Sequence, residues 1–142
     1  MRSVHQVLQA KTPEIHSIGP DAPVLDAIRT MAEHGIGALL VMEGGQLVGL
    51  ISERDYARKV VLQGRSSRDT PVRAVMSEQV ITVGPLDTVD DCMRTVTGRR
   101  VRHLPVMQDG QVIGVVSIGD LVKAVIEDQQ VELDQLQRYI AS

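Results

Sequence analysis

Two short runs hold the residues best suited to chemistry: Ser52-Glu53-Arg54-Asp55 and Ser117-Ile118-Gly119-Asp120. Each stands where an apolar run ends (Leu47–Ile51 and Val112–Val116) and a helix opens. A helix start presents free backbone N–H groups and the positive end of the helix dipole, a natural seat for phosphate. An ionised Asp55 or Asp120 can accept hydrogen bonds from two adjacent ribose hydroxyls, a charge-assisted pair. The Ser52 hydroxyl can serve ribose or an α-phosphate, and Gly49 on the preceding strand can allow close backbone approach. The same Ser-x-x-Asp pattern also approximates a capping box, in which both side chains satisfy only the helix's own N–H groups. Ligand seat and helix cap are both open readings, and Ser52 and Ser117 can serve both.

Charge distinguishes the two runs. Arg54 lies inside the first, where the second has Gly119. Arg99-Arg100-Val101-Arg102-His103 leads into a strand of the second half, opposite His34-Gly35-Ile36-Gly37-Ala38 in the first. Arg100 and Arg102 alternate onto one strand face and His103 onto the other, so they cannot all reach one ligand unless the strand begins irregularly. A solvated surface is the other reading of these arginines. His5, His16, His34 and His103 show no metal-ligand spacing and no cysteine cluster, so no metal is expected. Walker, G-x-G-x-x-G and G-x-S-x-G patterns are absent. Ser52 and Ser117 have no identifiable activating base. Asp26 and Asp91 fall at matching places off the apolar stripes of helices, as solvated carboxylates rather than a catalytic pair. The residues do not point to an enzyme.

Those runs belong to a larger repetition. Slid by 65 positions, residues 15–60 fall on residues 80–125 without a gap. Gly19-Pro20 meets Gly84-Pro85, Arg29-Thr30 meets Arg94-Thr95, and Ser52 and Asp55 meet Ser117 and Asp120. A repeat of this length is a whole supersecondary unit. Each copy reads as β-α-β-β-α. In the first, Ile15–Ile18 is a short strand, and Val24, Ala27, Ile28 and Met31 have the spacing of an amphipathic helix stopped by Gly35. Ile36–Met42 and Leu47–Ile51 follow as a hairpin. In the second, Val80–Val83 is the strand and Val89, Cys92, Met93 and Val96 the stripe. Val101–Met107 and Val112–Val116 then turn at Asp109-Gly110. The expected organisation is a lead-in segment 1–14, a first repeat 15–62, a linker 63–79 with a short helix, a second repeat 80–128 and a helical extension 129–142. Ile126, Leu133, Leu136 and Ile140 give that extension a partial apolar stripe, for packing on its own domain or for a dimer contact.

Composition agrees with one small α/β (α+β) unit. The 142 residues are 43% hydrophobic and 23% charged, with a net charge of −3. That charge offers no general attraction to nucleic acid or membrane, and with only Tyr56 and Tyr139 aromatic there is no base-stacking platform. No apolar run approaches the ~20 residues of a membrane span. Cys92 cannot form an internal disulfide and reads as a small buried thiol. The expected compartment is the reducing cytoplasm.

With G-L-I-S-E-R-D and G-V-V-S-I-G-D closing paired βαββα units, the chain resembles a tandem pair of cystathionine-β-synthase (CBS) domains, a Bateman module, over roughly residues 4–128. The stretches S-E-R-D-Y-A-R-K-V and R-R-V-R-H-L-P-V are similar to stand-alone two-CBS proteins of bacteria and plant organelles. The resemblance implies a pseudo-twofold pair, a disc-shaped homodimer and adenine-nucleotide binding between repeats, regulating another protein without catalysis. It implies one site of Ser52, Arg54, Asp55, Thr82, Arg102, His103 and Pro105, and a second of His16, Gly37, Ala38, Ser117, Gly119 and Asp120. The first, richer in cations, is expected to bind charged nucleotide more tightly. AMP leads the expected ligands, with ADP, ATP, NAD and S-adenosylmethionine as alternatives. A ligand-independent interaction module, for example one acting on a thioredoxin-system enzyme, is the main rival; a nucleotide hydrolase lacks a general base.

Overall fold

The computed structural model describes residues 2–11 and 14–141; Met1, Thr12, Pro13 and Ser142, which the expected lead-in and extension include, lie outside it. The chain forms two compact units, one of residues 15–80 and one of residues 1–14 with 81–142. The lead-in thus joins the second repeat, and the linker joins the first.

In the 15–80 unit, β1 (Ser17–Ile18) runs parallel to β2 (Ala38–Glu43), which pairs antiparallel with β3 (Gln46–Ser52) in the order β1-β2-β3. Between β1 and β2 lies helix α1 (Val24–His34), stopped by Gly35 in the left-handed conformation at φ 62° with its N–H on the Met31 carbonyl. Gly44 and Gly45, both at positive φ, turn the hairpin. Helix α2 (Glu53–Tyr56) continues into a π-helical stretch, Ala57–Val61, and the linker supplies a 3₁₀ turn, Val72–Ala74. Val24, Ala27 and Met31 meet Leu39, Val41 and Ile51 in the core, with Val60, Val72, Val75 and Met76.

The other unit repeats the plan with differences. Its lead-in helix α3 (Val4–Gln9) inserts Val4 and Val7 among Val89, Cys92, Val96, Leu104, Val106, Val116, Leu121 and Ala124. Helix α4 (Val89–Arg99) is capped by Thr88, and the β4–β5 hairpin (His103–Gln108, Gln111–Ser117) turns at Asp109 (φ 53°) and Gly110 (φ 76°), the conformation a two-residue turn demands. Both hairpins slip register at the matching place, between Val41 and Met42 and between Val106 and Met107. The expected strands shrink: Ile15–Ile18 is a strand only at its last two residues, and in Val80–Val83 only Val83 bridges, to Val106. A two-residue register has too few ladder bonds to extend the strand. Helix α5 (Ile118–Ala141) continues through the extension. Its buried residues are Leu121 and Ala124, whereas Ile126 is 58% and Ile140 80% exposed, so the extension's stripe does not pack on its own unit.

Candidate functional site

Each motif sits at a strand-to-helix junction, held by its own unit. Ser52 has extended backbone as N-cap of α2. Its Oγ accepts from the Asp55 N–H at 3.1 Å, and Asp55 Oδ2 accepts from the Ser52 N–H and hydroxyl, each at 3.0 Å. The second repeat is built the same way: Ser117 Oγ takes the Asp120 N–H at 3.1 Å, and Asp120 Oδ2 the Ser117 N–H at 2.9 Å. Both capping boxes are therefore closed, and both carboxylates stay half-buried at their helix starts. One further N–H at each helix start is tied to the strand-leading loop. Glu53 donates to the Gly37 carbonyl at 3.0 Å, and Ile118 to the Arg102 carbonyl at 2.9 Å.

This bonding decides which predicted residues lie together. Gly37 and Ala38, the latter opposite Ser52 in register, stand beside the Asp55 motif, where Arg54 is exposed. Arg102 and His103, the latter opposite Ser117, stand beside the Asp120 motif with Gly119. Pro105 is buried on β4 and Thr82 exposed ahead of Val83. Arg100 takes a left-handed backbone (φ 55°) as the C-cap of α4, where the first repeat has Gly35; the strand starts only at His103, and Arg99, Arg100 and Arg102 are all exposed.

Each carboxylate also has a lysine. Lys59, one turn along, is 3.6 Å from Asp55 Oδ1 and donates to the Val75 carbonyl at 3.0 Å. Lys11 donates to Asp120 Oδ2 at 2.8 Å and to the Val115 carbonyl at 3.0 Å. Burial alone would raise the Asp120 carboxyl's pKa; the Lys11 hydrogen bond, the Ser117 N–H and the lysine's charge outweigh it, and the pKa falls below 3.8. Neither lysine is among the expected site residues, and Lys11 gives the Asp120 side a cation of its own. The i,i+4 spacing could have revealed Lys59; nothing local could have revealed Lys11, 109 residues from its partner.

Packing decides two other expectations. Gly49 does not leave room for a ligand: a Cβ there would stand 2.7 Å from Met76 Sδ and 2.9 Å from the Ser77 carbonyl oxygen. Cys92 is fully buried, and burial, with Asp87 and Asp91 nearby, pushes its thiol up to about 11. His16 and His34, far apart in sequence, stack with ring centroids 3.8 Å apart and planes 23° from parallel. With Glu14 they offer ligand atoms that all lie within 4.8 Å of one another, a grouping that the spacing of the histidines in the sequence did not reveal.

A family model described as CBS domain matches residues 5–62 and again 72–127. The chain belongs to the CBS domain family. It is 46% identical over 125 residues to the mitochondrial CBS domain-containing protein CBSX3 of Arabidopsis thaliana, covering 84% of this chain and 61% of that relative's length. The structure of a putative signal-transduction protein with CBS domains from Burkholderia ambifaria is 50% identical with a TM-score of 0.87, covering 90% of this chain and 96% of that one. A CBS domain pair solved in complex with 5′-methylthioadenosine and S-adenosyl-L-methionine shares the fold at 23% identity, with a TM-score of 0.79 and coverage of 90% and 98%. The chain is thus a mixed α/β CBS pair, which supports a regulatory role.

Proposed function

We propose that this CBS pair binds an adenine nucleotide, AMP first, and passes its occupancy to another protein as an energy or redox signal. One observation carries the reading: both repeats hold a half-buried motif aspartate, oriented by its serine, with a lysine ammonium beside it. Asp55 and Asp120 accept the ribose diol, and the helix starts and nearby cations face phosphate. The related pair solved with 5′-methylthioadenosine and S-adenosylmethionine supports an adenosine moiety as the common element. The signal passes because the ligand favours one of two states that a partner distinguishes. The reading includes a homodimer and a cytoplasmic location, beside a relative named mitochondrial.

The closed capping boxes favour a second reading, an interaction module whose motifs serve only its helices. Isothermal titration with AMP, ADP, ATP, NAD and S-adenosylmethionine separates them. Loss of the high-affinity binding in Asp55→Ala, with weaker binding left at Asp120, and its retention in Asp120→Ala support the sensor with Asp55 as the tighter site. The opposite pattern overturns that assignment, and no binding to nucleotide-free protein favours the interaction module.

A further inference from the structure

The lysine beside Asp120 comes from outside the repeat. Lys11 closes the lead-in segment, and its ammonium spends two of three N–H donors on Asp120 Oδ2 and the Val115 carbonyl, with 37% of its side chain exposed. The helix cap does not need it, because Ser117 and Asp120 close the box between themselves. Nor was it copied by duplication. The first repeat's cation is Lys59, on the motif helix, and the matching position in the second is Ala124, a core residue. Each repeat has therefore acquired its own ammonium from a different segment, beside the same carboxylate. A lone buried carboxylate would repel the phosphate of a ligand whose ribose it held; the ammonium reverses that sign.

Resting on the nucleotide reading above, we propose that Lys11 is the charge selector of the Asp120 site. When a ribose diol takes over the Asp120 carboxylate, the ammonium moves on its flexible four-carbon stem to a phosphate oxygen of the same ligand. The lead-in segment so becomes part of the site, which prefers phosphorylated adenosine over neutral adenosine.

The test is isothermal titration of AMP and of adenosine into the 142-residue chain carrying Asp55→Ala, with and without a change at Lys11. Lys11→Met is expected to weaken AMP at least tenfold while adenosine binding holds or tightens, and Lys11→Arg to recover most of the AMP affinity. Equal weakening of both ligands, or no change in either, overturns the role of Lys11 and leaves the nucleotide site standing. Failure of the folded Asp55→Ala chain to bind either ligand overturns the Asp120 site and this inference with it.

Discussion

Asp120 shows how one carboxylate can be both structural and available. Its Oδ2 holds the Ser117 N–H and the Lys11 ammonium, and its pKa is depressed below the ordinary 3.8. A depressed folded value means that the stability it adds is fully present above the unfolded pKa and is lost as pH falls through the folded one. Asp120→Asn should therefore cost on the order of 1 kcal/mol at pH 7, since the pair is partly exposed. Urea denaturation should show that difference narrowing below about pH 4; a difference constant from pH 7 to pH 3 contradicts this account of the pair. The Ser–Asp box was legible from four adjacent letters, because its bonds are local. Lys11 was illegible, because only the folded lead-in brings it to Asp120.

At the scale of elements, the two central hairpin glycines mark where a segment crosses the sheet. A Cβ on Gly114 would come within 2.7 Å of Leu8 Cδ2, the movable end of a side chain. One on Gly49 would meet the Ser77 carbonyl oxygen at 2.9 Å as well as Met76, and backbone fixed by the Leu50–Ser77 bridge cannot withdraw. Gly49→Ala should cost about 1–3 kcal/mol, and Gly114→Ala clearly less, read from urea midpoints. Equal costs contradict the crossing argument. Helical stripes and the Asp109-Gly110 turn were plain in the sequence because period and turn chemistry are local signals. The Val80–Val83 strand was misjudged because a β-branched run does not reveal whether a neighbour offers it a ladder. Which repeat each lead-in serves was equally hidden, since Val4 and Val72 fit either core by composition.

Over the whole molecule, the repetition at 65 positions made the fold readable, and the unrepeated parts carry what remained unread. The longest is the end of α5, where Ile126, Leu133, Leu136 and Ile140 are more than half exposed in the single chain. Such a stripe along one helix face suits a second copy of the chain. Light scattering should give twice the 15.5 kDa chain mass, and Leu133→Glu with Leu136→Glu should halve it; a monomeric parent chain, or a variant of unchanged mass, contradicts the dimer. The central claim remains that the paired motifs bind a nucleotide. Its most direct test is thermal unfolding of nucleotide-free protein with AMP, alongside Asp55→Ala. At 100 times its dissociation constant the ligand should add about 2.7 kcal/mol of stability. The account predicts a clear rise in Tm that Asp55→Ala sharply reduces; an unmoved Tm, or an equal rise in the variant, contradicts it.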